Sequence, residues 1–580
     1  MCGILIYQDI DINRHGSYCD GPLSNSPVFF RGPDSHVKHI ISYPNSRVLT
    51  VNSILSIKSK PGDVPQSLQL SSSDDGSTSV FLYNGESYES SWHGQLDTDN
   101  FQVQSNYGSS YIYESNPAYR GFFAYAAVKS RKIYFSVDLL SEKSLFWYSK
   151  NGIFILGSSL ATVLHVLRSI GMSPRLNVNT CLEYFYTRHL IQFPSTVWDG
   201  VYRVMPGIPC EHDIDTQITS TPTVSQSSEH IYLSVKRLFS YDSLEAITKI
   251  YIQDSLYDSK FSDASAFVLS GGIDSTLVSL LSTIYSSSQH SYWTLTFGSK
   301  DPAAIAACRL ASSLGINYHS INVTPQTYRD ALEKLSSRLC YPLPTHSFAS
   351  YYILAGNVAS SGARILYGGE GADEVYQGYS LYHSLRSSPG SNGTSISPYS
   401  SFTSRFPDFP ADHTLLSPDV NIGYNTFYSL FCQDGYTYPV ERASLLCDLT
   451  FQLASTGLLC VDDIGGLFGL ESRSPLANLF AASRILFDRQ SDFSACLGNG
   501  KKMLRSMLLE FDCANKVADL PKQGFSGYPN EIFDDFQTLV NCRYVFDQFS
   551  LDYKDFLPRI LEGDLKWKIN NLSIFLRSQV

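Results

Sequence analysis

The chain lacks any CxxC pair among its 12 cysteines, so neither a disulfide scaffold nor a zinc site is signalled. Charge is scarce: only 17% of residues are charged against 43% hydrophobic, which excludes wholesale disorder and places the chain among packed globular proteins. There is no basic excess either, since 43 Lys+Arg face 54 Asp+Glu for a formal charge of -11. That balance carries no general footprint for nucleic acid, and no nucleic-acid partner is expected. Nowhere do 18 apolar residues run together, so no membrane span is expected. Met1–Ile6 is a short apolar run without a preceding basic region, unlike a secretory signal, and a cytoplasmic location is expected.

What is present is length and pattern. At 580 residues the chain is too long for one core and suggests two to four domains, taking roughly 100 to 200 residues per domain. Up to about residue 205 it reads as short strands between turn signals, among them 2–8, 47–57, 80–83, 122–128 and 132–137, the density of antiparallel sheets. Asp215–Ser228 is polar, Ser/Thr-rich and interrupted by Pro222, the composition of a linker or exposed loop. From His230 onward apolar strands alternate with helical stretches: strand 264–269, helix 275–285, strand 292–297, helix 303–314, strand 318–323 and strand 364–367. That rhythm implies a parallel sheet with crossover helices, whose ligands sit beyond the carboxyl ends of the strands. Residues 387–417, dominated by Ser, Pro, Gly and Asn, read as a flexible insertion.

Cys2 is a first candidate for chemistry. If Met1 is removed, the free α-amino group, with a pKa of about 7.7 to 8.0, can act as general base for the thiol of the same residue. Asn84 and Gly85 could then supply a side-chain amide and a backbone N–H to an oxyanion. Cys2-Gly3-Ile4, Arg31-Gly32-Pro33-Asp34, Asn84-Gly85-Glu86-Ser87-Tyr88, Gly121-Phe122-Phe123-Ala124 and Thr196–Arg203 with Pro206-Gly207 occur in this order. Together they resemble the N-terminal-nucleophile glutaminase domain of class II glutamine amidotransferases, over most of residues 1–207. The resemblance implies an Ntn-hydrolase αββα fold and hydrolysis of glutamine, with Cys2, Asn84 and Gly85 catalytic and Arg31, Glu86 and Asp99 at the substrate. One departure stands out. In that family an arginine before Leu-Ser-Ile clamps the glutamine α-carboxylate, whereas Leu55-Ser56-Ile57 follows Ile54. An aliphatic chain cannot form paired charged hydrogen bonds, a loss on the order of 2 to 5 kcal/mol.

The second candidate is Ser270-Gly271-Gly272-Ile273-Asp274-Ser275, between a strand and a helix. Glycines let backbone approach phosphate oxygens, Ser270 and Ser275 can donate, and the helix N-terminus favours anions. Asp274 would be repelled by phosphate unless a cation lies between them, which argues for Mg²⁺. The loop has no lysine, so it is not a Walker loop. It resembles the pyrophosphate motif of the ATP pyrophosphatases. Tyr367–Tyr379, with Gly368, Gly369, Glu370, Asp373 and Gly378, resembles the signature of the asparagine synthase family, which includes β-lactam synthetases.

Carried over, the resemblance puts Leu269, Ser270, Gly271, Gly272, Asp274, Ser275, Gly368 and Gly369 at ATP. It gives Asp274 and Asp373 to Mg²⁺ and makes Glu370 and Lys501 catalytic, Lys501 opening a K-x-x-L-R helix with Lys502 as the neighbouring alternative. Leu520–Ser526 resembles the family's lysine-containing loop. Cys460-Val461-Asp462-Asp463 puts Cys460 where the family has Arg, and Ala477-Asn478 stands for Leu-Asp. Phe146-Trp147 after Ser144-Leu145, with Ile54, points to the divergent asparagine synthetase domain-containing branch.

The implied organisation is a glutaminase domain at 1–207, a linker at 208–229 and a Rossmann-like, PP-loop synthetase domain at 230–580, α/β and α+β overall. The implied reaction is adenylation of a carboxylate, with aspartate expected, by ATP and Mg²⁺, then amidation by glutamine-derived ammonia. A ligase with an inert glutaminase half and a non-catalytic homologue are the alternatives.

Overall fold

Period-two alternation of apolar residues builds the amino-terminal half. In the computed structural model, β1 (Gly3–Asp9) sends Ile4 and Ile6 to one face and Leu5 and Tyr7 to the other, all of them buried. The structure describes residues 3–11, 26–55, 69–70, 79–88, 120–186, 190, 193–256, 265–286, 289–379, 418–489, 500–518, 532–549 and 563–579. Cys2, Asp99, the 387–417 insertion and Leu520–Ser526 lie outside them.

The remaining strands of this half are β2 (Ser35–Tyr43), β3 (Ser46–Ile54), β4 (Gln69–Leu70), β5 (Ser79–Tyr88), β6 (Arg120–Lys129), β7 (Lys132–Val137), β8 (Phe146–Lys150), β9 (Ile153–Gly157), β10 (Val201–Arg203), β11 (Cys210–Asp213) and β12 (Thr219–Ser220). They form two six-stranded sheets, ordered β10-β8-β9-β1-β3-β2 and β12-β11-β7-β6-β5-β4, and their pairings are antiparallel. Ile4, Ile6, Val48, Leu82, Ala126, Phe135 and Leu156 fill one shared core between them, as in a face-to-face sandwich. Helix Leu160–Ser169 packs its buried stripe on the outer face of the first sheet. On the outer face of the second, Phe81, Tyr83, Phe123 and Tyr125 form an aromatic ladder, and no helix of the described residues joins that cluster.

The stretch 208–229, expected as a linker, is a correction. Cys210–Asp213 pairs with β7 and Thr219–Ser220 pairs with Cys210–Asp213, completing the second sheet. Its Ser/Thr-rich composition suits an edge hairpin as well as a linker, and only backbone pairing tells them apart. Thr223 then opens helix Val224–Arg237 with a capping box to Gln226.

In the carboxyl half, β13 (Ser265–Val268), β14 (Ser291–Thr296), β15 (Asn317–Asn322), β16 (Ile365–Tyr367) and β17 (Glu471–Arg473) make one parallel sheet, ordered β15-β14-β13-β16-β17. Crossover helices Ile273–Tyr285 and Pro302–Leu314 separate its first three strands, the second capped by Asp301 with Pro at its start and closed by Gly315 at φ 63. The chain runs outward from β13 to β15, then returns to the other side of β13 with β16. The order therefore reverses between β13 and β16, and a crevice opens there at the carboxyl ends. Among the described residues one helical stretch, Pro439–Leu467, is apolar enough to cross a membrane by length and composition, although the sequence shows no unbroken apolar run; 89% of its most apolar window is buried inside the fold.

Candidate active site

The loop after β13 and the loop after β16 meet at that reversal and line one cavity of about 390 Å³. Ser270, Gly271, Gly272, Asp274, Ser275, Gly368, Gly369, Glu370, Asp373 and Lys501 all face it. Gly271 has φ 78, and a Cβ there would stand 2.2 Å from the Ala303 carbonyl oxygen, so only glycine lets the first loop turn against helix Pro302–Leu314. A Cβ on Gly369 would lie 2.7 Å from that of Asp274, so the two loops touch through this glycine. Ser270 and Ser275 hydroxyls are 2.7 Å apart, and Ser275 Oγ accepts from the Ser270 amide at 3.0 Å, which closes the first loop on itself. Leu269 departs from expectation. Its side chain is in the core, its amide donates to the Trp293 carbonyl at 2.8 Å, and its carbonyl accepts from the Thr294 hydroxyl. An apolar residue at the strand end is drawn inward, and it is not among the cavity's lining.

Lys501 joins the two loops. Its ammonium is 2.5 Å from Asp274 Oδ2 and 2.7 Å from Asp373 Oδ1, and its side chain is 5% exposed. Burial alone would lower the Lys501 pKa; the carboxylates of Asp274 and Asp373 outweigh it and raise it. Lys501 has left-handed backbone, φ 54, immediately before helix Lys502–Leu508, while Lys502 is exposed. Gly378, unassigned by sequence reasoning although it lies within the quoted signature, makes room for this pair: a Cβ there would fall 1.8 Å from Asp373 Oδ1 and 2.3 Å from Lys501 Cε.

Two carboxylates already converge on one cation at this point. The same pair suits Mg²⁺, which typically binds through one or two carboxylates plus substrate phosphates. Among the described residues no group of three or more His, Cys, Asp or Glu could hold a metal alone, so the fit is to an ion shared with a phosphate ligand. Beyond Glu370 the wall is made by Tyr351, Leu354, Gln452, Leu453, Thr456, Gly457 and Cys460. The Cys460 thiol is pushed well up by burial and then by the neighbouring Glu370 and Asp463 carboxylates. Asp301, His346 and Arg505 also line the cavity; no local motif surrounds Asp301 or His346, and Arg505 closes the K-x-x-L-R motif, which by itself gives the arginine no role.

In the amino-terminal half, Asn84 is buried on β5 opposite Ala124, Gly85 is opposite Phe123, and Glu86 is opposite Phe122. Cys2 and Asp99 fall outside the described residues. Ile54 is 3% exposed and ends β3, where its carbonyl accepts from the Asp34 amide at 3.1 Å. Arg31, expected at the glutamine substrate, is a correction. Its guanidinium is locked against the other half, bonded to Asp462 and, at 3.2 Å, to Asp463, with a side chain 3% exposed. Two carboxylates presented by helix Gly457–Leu467 claim both terminal nitrogens.

A closed charged seam surrounds that contact. Lys143 Nζ reaches Asp462 at 3.0 Å and the Tyr341 hydroxyl donates to Asp463 at 2.7 Å. Arg203 donates to the Ala454 carbonyl at 2.9 Å and the Ser144 hydroxyl at 2.8 Å, and its pKa is lowered by burial to about 10. Burial would raise Asp462, but Arg31 and Lys143 hold it below the usual carboxylate range; Asp463 is pushed up to about 6 by burial, only partly offset by Arg31. Asp138 is likewise raised to about 6 by burial, against four backbone N–H donors. Helix Gly457–Leu467 thus has one end in the cavity and the other in the grip of the amino-terminal half.

The asparagine synthase family model matches residues 262–552, half of the chain. Among known proteins, the chain is 28% identical to asparagine synthetase B [glutamine-hydrolyzing] of Escherichia coli (strain K12) over 149 residues, 23% of this chain and 26% of that protein. It is also 28% identical to the Mus musculus asparagine synthetase [glutamine-hydrolyzing] over 164 residues, 26% of this chain and 29% of that one. The matched segments thus span under a third of these relatives' lengths. A solved glutamine phosphoribosylpyrophosphate amidotransferase from B. subtilis aligns over 64% of this chain and 82% of its own, at 9% identity and a TM-score of 0.25.

Proposed function

Because the chain belongs to the asparagine synthase family, we propose that it is an ATP-dependent amide ligase that adenylates a carboxylate, with aspartate as the expected acceptor, and amidates it with ammonia from glutamine. The observation that carries this reading is the Asp274–Lys501–Asp373 bridge at 2.5 and 2.7 Å, at the strand reversal and in the same cavity as Glu370. The glycine loop takes the phosphates, with the amides of 271–275 and the Ser270 and Ser275 hydroxyls as donors. Asp274 and Asp373 would hold Mg²⁺, which would supply charge neutralisation for the phosphates. The acceptor carboxylate attacks the α-phosphorus and pyrophosphate leaves. Lys501, whose ammonium lies against Asp274 and Asp373, is placed to offset negative charge on that leaving group. Ammonia then attacks the acyl carbon, and Glu370 is placed to take its proton. Products are the amide, AMP, pyrophosphate and glutamate; a cytoplasmic location goes with these substrates.

The test is pyrophosphate–ATP exchange with aspartate, and AMP yield with glutamine added. Exchange dependent on the carboxylate, with AMP and pyrophosphate formed one to one, supports the proposal; no AMP with any carboxylate removes it. A second reading, a ligase with an inert glutaminase half, is favoured by Ile54 buried in its sheet and Arg31 committed to Asp462 and Asp463. It requires AMP formation to be the same with ammonia as with glutamine, and unaffected by Cys2→Ala.

A further inference from the structure

A second cavity, of about 400 Å³, opens at the edge of the amino-terminal sandwich, where β8 and β10 of the first sheet face the β11–β12 hairpin of the second. It is far from Asn84 and Gly85, because β7 and β6 separate β11 from β5. Trp147 and Tyr202 are directly opposite each other in the β8–β10 register, and their rings stack with centroids 4.8 Å apart at 30°, forming one wall. Ser149 follows Trp147 on the same face of β8, and Gln217, Thr219 and Thr221 come from the hairpin side. Gln217 has φ 60 and its side-chain Nε2 donates to the Ile214 carbonyl at 2.5 Å, so the side chain is held by the turn itself. Trp147 is the departure that the Phe146-Trp147 pair presents in the sequence, and the ligase reaction proposed for the other cavity makes no use of it.

The chemistry of this lining is one-sided. Arg203 is its one charged member, yet it is 0% exposed and its terminal nitrogens point their bonds to Ser141, Ser144, Ala454 and Ser455. What a ligand can reach is therefore uncharged. Among the described residues, the Trp147 indole N–H and the Tyr202, Ser149 and Thr221 hydroxyls make no hydrogen bond within the protein. They offer donors beside an aromatic wall. A phosphate or carboxylate would find no accessible cation here. An uncharged flat ring with carbonyl or ring-nitrogen acceptors would extend the Trp147–Tyr202 stack and meet these donors. We propose that this cavity binds an uncharged planar heteroaromatic ligand of the nucleobase or nucleoside class, separate from the nucleotide cavity between the strand-end loops.

The experiment is binding of adenosine and of uridine to the full chain by saturation-transfer NMR and equilibrium dialysis, without ATP, whose own adenosine would compete for the site. Saturable binding of a nucleoside that falls at least tenfold in Trp147→Ala and in Thr221→Trp, which fills the cavity from an exposed position, supports the proposal. Thermal melting unchanged in Thr221→Trp separates loss of the site from loss of the fold. Nucleoside binding that survives both variants, no saturable binding at millimolar concentration, or binding of glucose in preference to both nucleosides overturns it. Pyrophosphate–ATP exchange is read on the same samples and reports on the ligase proposal independently.

Discussion

Lys501 in the cavity and Arg31 in the seam are both buried cations joined to two carboxylates, and they differ in what surrounds them. In the cavity, Lys501 holds Asp274 and Asp373, whose side chains are 24% and 18% exposed, and the loops around it are glycines and hydroxyls. In the seam, Arg31 and Lys143 hold Asp462 and Asp463 with every side chain at 3% exposure or less. A sealed pair can exchange its partner for nothing, so it fixes geometry. A pair that opens onto a crevice leaves its carboxylates and its lysine within reach of a ligand.

Breaking the seam should give the largest effect. Asp462→Ala leaves Arg31 and Lys143 buried without their shared carboxylate and is expected to destabilise the protein by about 3 to 5 kcal/mol, read as a lower urea midpoint. Substitution in the cavity should do the opposite. Lys501→Ala is expected to lower pyrophosphate–ATP exchange roughly 100- to 1,000-fold with a small change in melting temperature, because it removes a cation from carboxylates that water can reach. If both variants lose stability equally, the distinction between sealed and open pairs fails.

Smaller effects sharpen the comparison inside the seam. The fold favours the charged form of Asp462 but disfavours that of Asp463, so Asp463→Asn at neutral pH should cost well under half of what Asp462→Asn does. The sign in pH follows. With its folded pKa raised from 3.8 to about 6, Asp463 holds its proton in the folded state over a window where the unfolded chain has released it. Its contribution is fully present below the unfolded value and is lost as pH rises through about 6. The stability advantage of wild type over Asp463→Asn should therefore be greater near about pH 4.5 than near about pH 7, measured by urea unfolding at both. A constant difference would mean that Asp463 does not titrate in that window.

The cavity was far more legible in the sequence than the seam. Ser270–Ser275 and Gly368–Asp373 crowd glycines and acids immediately after buried strands, a pattern costly to local structure unless a ligand uses it. The alternating β13, β14 and β15 segments with their helices were readable because strand and helix periods differ. Arg31 and Asp463 are 432 positions apart, and nothing local about either announces the other; a family motif placed Arg31 at substrate, and the long-range ion pairs move it. The β11–β12 hairpin is not legible as such, because edge hairpins and linkers share a Ser/Thr-rich composition. Position in a motif points Leu269 at ATP, whereas its apolar side chain is buried in the core.

The central claim is that the crevice at the strand reversal is where a carboxylate is activated by ATP, with Lys501 between Asp274 and Asp373. Pyrophosphate–ATP exchange on the purified full chain, wild type beside Lys501→Met of matched melting temperature, tests it most directly. The account predicts carboxylate-dependent exchange in the wild type and its collapse in the variant. Exchange that persists undiminished without the Lys501 ammonium, or that is missing from the wild type with every carboxylate tried, would contradict it.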